Sequence, residues 1–82
     1  MKVIGVLEAS PAALAGFRVD DRVVAFGSAV HPAGLQDIAE IVRSSVGSSV
    51  RVEVVRGPEA KVVVLELVPG EGMVGWRLMA AD

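Results

Sequence analysis

Two β-prone runs, Val50 to Arg56 and Lys61 to Val68, are separated only by Gly57-Pro58-Glu59-Ala60. A short break built on glycine and proline turns the chain back on itself, so the spacing predicts an antiparallel hairpin. The first run alternates valine with charge (Val50, Arg51, Val52, Glu53, Val54), the pattern of a half-buried strand. The second, after Lys61, is apolar except where Glu66 interrupts it. A lone hairpin is not stable in water and needs further strands or a helix against its apolar face. The chain has 82 residues to supply them, enough for one domain with a thin core.

Other segments fit that need. Lys2 to Leu7 and Arg22 to Phe26 read as strands, and Ala29-Val30 as a very short one. Between the first two lies Ser10-Pro11-Ala12-Ala13-Leu14-Ala15-Gly16. Ser10 suits a helix cap, Pro11 the first helical position and Gly16 a left-handed stop, so a helix of about one and a half turns is expected. Leu35 to Ser45 is the best helix, with Gly47 as its stop. At about 100° per residue, Leu35, Ile38, Ala39, Ile41, Val42 and Val46 fall within about 160° of arc. That arc is wider than one core contact requires. Either all of it is core, or Ile38 and Ile41 face the core while Leu35, Ala39 and Val42 face a partly open groove. Pro69-Gly70-Glu71-Gly72 reads as a loop, and Met73 to Ala80 as a last strand carrying Gly75. The order β-α-β-(β)-α-β-β-β indicates an α+β fold rather than a doubly wound sheet.

Composition removes several kinds of chemistry. There is no cysteine and a single histidine, His31, so disulfides, zinc clusters, thiol catalysis and a multi-histidine metal site are all out of reach. A net charge of −2 with scattered arginine makes a poor nucleic-acid binder, which needs a basic stripe. The longest apolar run, Val62 to Leu65, is far short of the about 20 residues that span a bilayer, and nothing resembling a signal peptide opens the chain. Gly70-Glu71-Gly72-Met73-Val74-Gly75 matches G-x-G-x-x-G, but the helix and acidic residue of a dinucleotide site would need far more chain than follows Gly75. Asp20-Asp21 has no third ligand at useful spacing, so it reads as a polar turn with a carboxylate accepting backbone N–H groups. His31 reads as a loop residue before Pro32 rather than a general base, and no G-x-S-x-G elbow is present. No cofactor, metal or catalytic residue is expected.

Met73-Val74-Gly75-Trp76 places glycine among apolar residues at the mouth of a strand. Successive N–H groups in such a turn can converge on an anion, and a strand with one free edge can take up an extended peptide and its terminal carboxylate. A glycine bulge in a buried strand is the equal alternative.

Several motifs carry a family resemblance. Glu8-Ala9-Ser10-Pro11-Ala12-Ala13-Leu14-Ala15-Gly16-Phe17 resembles the gSPAaxAGL signature of PDZ domains. Asp20-Asp21-Arg22-Val23-Val24-Ala25-Phe26-Gly27 is similar to their GDxIxxVnG, with Asp20 in place of glycine. Leu35 to Arg43 resembles the ligand-groove helix, and Met73-Val74-Gly75-Trp76 the GLGF carboxylate loop, with Met73 replacing its first glycine. That loop comes last here, where common PDZ domains have it near the N-terminus, so the resemblance implies a circularly permuted order. More narrowly, Ala15 to Ser28 resembles the AGLxVDDxIVxFGS stretch of the proteasome regulatory-particle assembly chaperone family, the non-ATPase regulatory subunit nine family. Leu35 to Val42 fits its helix, and Gly72 to Trp76 its late loop.

The resemblance implies an α+β, PDZ-like, partly open β-barrel or sandwich of five to six strands with two helices. It implies one domain over residues 1–82, excised from a longer chain. The expected activity is non-catalytic: capture of the C-terminal tail of a proteasomal ATPase subunit, in the cytoplasm or nucleus, with no nucleic acid or membrane partner. The N–H groups of Val74, Gly75 and Trp76 would hold the carboxylate. Met73, Arg77, Leu78, Leu35, Ala39 and Val42 would line the peptide groove. Leu35 stands where many PDZ domains place a histidine, which implies an apolar or aromatic ligand residue two before the end, with room beside Ala39. The alternative is a PDZ module of a trypsin-like or membrane-embedded protease that recognises substrate C-termini.

Overall fold

The computed structural model describes residues 1–30, 32, 34–70 and 74–79. In chain order the elements are β1 (Lys2–Val6), α1 (Pro11–Ala15), β2 (Arg22–Phe26), β3 (Ala29–Val30), α2 (Leu35–Ser44), β4 (Val50–Arg56), β5 (Lys61–Leu67) and β6 (Trp76–Met79). The hairpin forms as expected: β4 and β5 pair antiparallel in unbroken register from Val50↔Leu67 to Arg56↔Lys61. It extends into a six-stranded sheet of order β5-β4-β2-β1-β6, with β3 pairing β2 off that path. This is the α+β, PDZ-like architecture that the motifs imply. The last strand pairs with the first, Lys2 beside Met79. β6 therefore forms one edge of the sheet, and among the described residues no strand pairs with its far side.

Valine alternation does what it should. Val50, Val52 and Val54 are buried on β4 and Arg51 is exposed. They join Val3, Val23, Phe26, Leu67 and Ile38 in one core. The chain's three aromatic residues meet inside it. Phe17 and Trp76 pack edge to face with centroids 4.8 Å apart, and Phe26 lies 5.7 Å from Trp76. Aromatic pairs of this geometry add about 0.5–1.5 kcal/mol beyond area burial.

The short helix α1 ends as its residues dictate. The Ser10 side chain accepts the Ala13 N–H at 3.2 Å, Pro11 opens the first turn, and Gly16 closes it in the left-handed region at φ 99°. Strand β1 ends at Val6 and β5 at Leu67, each one residue short of the sequence boundary. Helix α2 ends at Ser44, one turn before Gly47, and Ser45 N–H bonds back to the Val42 carbonyl. The last strand starts later than expected, at Trp76, with Gly75 just ahead of it. Met73 and Ala80, the limits read from sequence, lie outside the described residues, as do His31, Glu71 and Gly72.

Asp20-Asp21 is the polar turn expected, with a larger role than a turn. The Asp21 carboxylate accepts the Arg18 N–H at 2.9 Å. It also takes a two-pronged contact from Arg56 on β4, Nε to Oδ1 at 2.8 Å and Nη2 to Oδ2 at 2.7 Å. Arg56 reaches on to the Gly16 carbonyl at 2.9 Å, so it also serves the end of α1. Hydrogen bonding to Asp21 pushes the arginine further into its charged form. Asp20 stands at φ 78°, where the resemblance has glycine. Aspartate tolerates that region better than most side chains, and its carboxylate meets Lys2 Nζ at 3.2 Å in an exposed pair.

Asp21 is 1% exposed, so removing its partner strands a buried charge. Arg56→Met should lower unfolding free energy by about 3 kcal/mol, the low end for a broken buried pair because Arg56 keeps some contact with water. Urea denaturation of the two proteins measures it, and a loss under 1 kcal/mol would remove the pair from the account of stability.

Candidate functional site

The loop leading into β6 is held from behind. The Ala12 N–H donates to the Val74 carbonyl at 2.9 Å, and the Leu7 N–H donates to the Gly75 carbonyl at 2.7 Å. Ser10 Oγ adds a longer contact to the same Gly75 oxygen at 3.4 Å. These peptide bonds are trans, and in a trans peptide the C=O and the following N–H point in opposite directions. With the Val74 and Gly75 carbonyls tied to α1 and β1, the N–H groups of Gly75 and Trp76 point away from both. Among the described residues no backbone carbonyl accepts the Gly75 N–H.

The sheet register agrees for Trp76. Val6 and Trp76 are directly opposed, and the Leu7-to-Gly75 bond flanks that pair. Such a pair exchanges no bonds of its own, so the N–H and C=O of Trp76 face the open side of β6. The Val74 N–H belongs to a peptide shared with Met73, outside the described residues, and its direction is not fixed by these contacts.

Gly75 has to be glycine. Its φ is +85°, and a Cβ there would collide with the Ser10 side chain. The SPA motif and the late loop, sixty-odd residues apart, are thus two halves of one contact.

The expected residues fall into two groups. Val74, Gly75, Trp76 and Arg77 line an open cavity of about 550 Å³ together with Gly5, Val6 and Leu7 of the first strand. Leu35, Ala39 and Val42 line a second, of about 330 Å³, with Ile38, Arg43, Val46 and Gly70. Leu78 lines neither and packs against the core. Met73 lies outside the described residues. Along the helix arc Ile38 is 3% exposed and Leu35 50% exposed, while Ile41 and Val42 are both half-buried. Val42, Trp76 and Leu78 all rest on the same buried cluster.

Sequence reading missed the β1 side of the loop cavity. Gly5 within a β-branched strand was the available signal, since such a glycine marks close approach of a neighbour. It also missed the commitment of Trp76 to Phe17 and Phe26. The indole is anchored inward, and it is the backbone of Trp76 that faces outward.

Among the described residues no group of three His, Cys, Asp or Glu side chains is placed to hold a metal ion. No helix there is long and apolar enough to cross a membrane. The outward N–H groups suit an anion at the head of an open strand edge.

Comparison with known proteins bears on the family. Residues 2–56 match the family model of the PDZ domain. The chain is 34% identical over 85 residues to a Caenorhabditis elegans protein named "Probable 26S proteasome non-ATPase regulatory subunit 9", an alignment covering 96% of this chain and 42% of that one. It is 36% identical over 84 residues to the Homo sapiens protein "26S proteasome non-ATPase regulatory subunit 9", covering 95% of this chain and 37% of that one. The chain thus spans less than half the length of either relative. A strand-edge loop backed by an SPA helix, and a family match over more than half of the residues, have one reading: the chain belongs to the PDZ domain family.

Proposed function

We propose that this domain captures the C-terminal tail of another polypeptide, without catalysis, and that the tail belongs to a proteasomal ATPase subunit during assembly. The observation that carries the capture reading is the pair of N–H groups, Gly75 and Trp76, directed away from α1 and β1 at the head of an edge strand. A terminal carboxylate would accept from them and from Val74. The residues before it would extend the sheet along Trp76, Arg77 and Leu78. The ligand's inward side chains would lie toward the apolar cavity of α2, where exposed Leu35 and Ala39 favour an apolar or aromatic residue two before the end.

The proteasome enters through the relatives, both named as regulatory subunits of the 26S particle and each aligned over nearly all of this chain. That favours a chaperone domain, working in cytoplasm or nucleus, over the PDZ module of a protease. A tail held here is unavailable to dock elsewhere, which is what an assembly factor requires. The permuted order fits as well. Lys2 sits beside Met79, so a short link there would join β6 to β1 as a hairpin and restore the common order.

An apolar groove with one charged anchor implies affinity of about 1 μM, or about 8 kcal/mol. Amidating the C-terminus of a bound peptide should cost about 1–3 kcal/mol, because the outward donors lose a charged acceptor. Fluorescence anisotropy of acid and amide forms checks this, and equal affinities would refute carboxylate capture. Leu35→Glu should abolish binding while leaving the urea midpoint within error, since the side chain is already half in water. Binding that survives the substitution removes α2 from the groove.

A further inference from the structure

Side chains on β6 alternate. Trp76 and Leu78 pack on the core, whereas Arg77 and Met79 are exposed on the opposite face. Directly across from Arg77 on β1 stands Gly5. With no side chain there, the arginine stem lies over the neighbouring strand. Its Cβ, Cγ and Cδ fall 3.7, 3.8 and 3.9 Å from where a Gly5 Cβ would begin. The guanidinium makes no ion pair among the described residues. It belongs to the cavity that the outward-facing loop also lines.

Strand geometry then decides which ligand residue meets it. A tail whose carboxylate sits at Gly75 and Trp76 runs antiparallel to β6. Trp76 offers its N–H and C=O to the free edge, so the last ligand residue lies opposite Trp76 and the penultimate one opposite Arg77. Residues directly opposed in an antiparallel pair project to the same face. We propose that Arg77, seated on Gly5, reads the penultimate residue of the ligand and selects aspartate or glutamate there. The inference rests on the capture reading and adds to it a charge preference at a position that the apolar groove does not touch. A stem already laid against β1 has less freedom to lose on pairing than one standing in water.

The test uses the 82-residue chain and arrays of C-terminal decapeptides. The arrays vary the last and third-last residues, carry Glu, Gln or Lys at the penultimate position, and are made as free acids and as amides. In low salt the Glu acids should bind up to about fivefold more tightly than the Gln acids, with Lys weaker again. The differences should close as salt approaches 0.5 M. Arg77→Gln should level the order and Arg77→Glu should invert it, with circular dichroism confirming that both remain folded. Acid and amide arrays that bind alike would bring down the capture reading and this inference with it. Acids that outbind amides but ignore the penultimate residue, or an order unchanged in Arg77→Glu, would overturn the role of Arg77 alone.

Discussion

Two main-chain hydrogen bonds, from Ala12 and Leu7 to the carbonyls of Val74 and Gly75, fix the orientation on which everything at the site depends. A peptide group has two polar ends, and fastening one decides where the other points. The helix α1 is five residues long, too short to stand alone in water. Its value lies in presenting the Ala12 N–H and the Ser10 side chain to the loop. Ser10 does three things at once: it caps α1, contacts the Gly75 oxygen and fills the space that any side chain on residue 75 would need.

That clamp would be idle if α1 could drift from the sheet, and Asp21 with Arg56 prevents it. Their contacts join the end of α1 through the Gly16 carbonyl, the start of β2 and the end of β4. A buried ion pair is a weak source of net stability and is costly to break. Here it also fixes relative position, since the guanidinium and carboxylate meet in one arrangement. Charge placement in the polar turn and glycine placement in the loop therefore serve the same end from two sides of α1.

Much of this was legible in the residues. The hairpin followed from the Gly57-Pro58 break, and the caps of α1 from Ser10, Pro11 and Gly16. Strand ends and the start of β6 were less legible, because Leu7, Val68 and Val74 are as apolar as the strands beside them. Val74 is held out of the last strand by the bond that its carbonyl accepts from the distant Ala12 N–H. The same limit hid the partner of Asp21, thirty-five positions away, and the role of Gly5, which only the register with Arg77 reveals. The aromatic cluster was hidden for another reason: three rings scattered along a sequence have no period that announces their meeting.

That cluster has an optical consequence. Trp76 is the only tryptophan, and there is no tyrosine, so the ultraviolet emission of the domain comes from a single indole at the head of β6, wedged against Phe17 and Phe26. The chain carries its own spectroscopic reporter at the strand a ligand would join, and one wavelength scan follows both occupancy of that edge and melting of the interior beneath it.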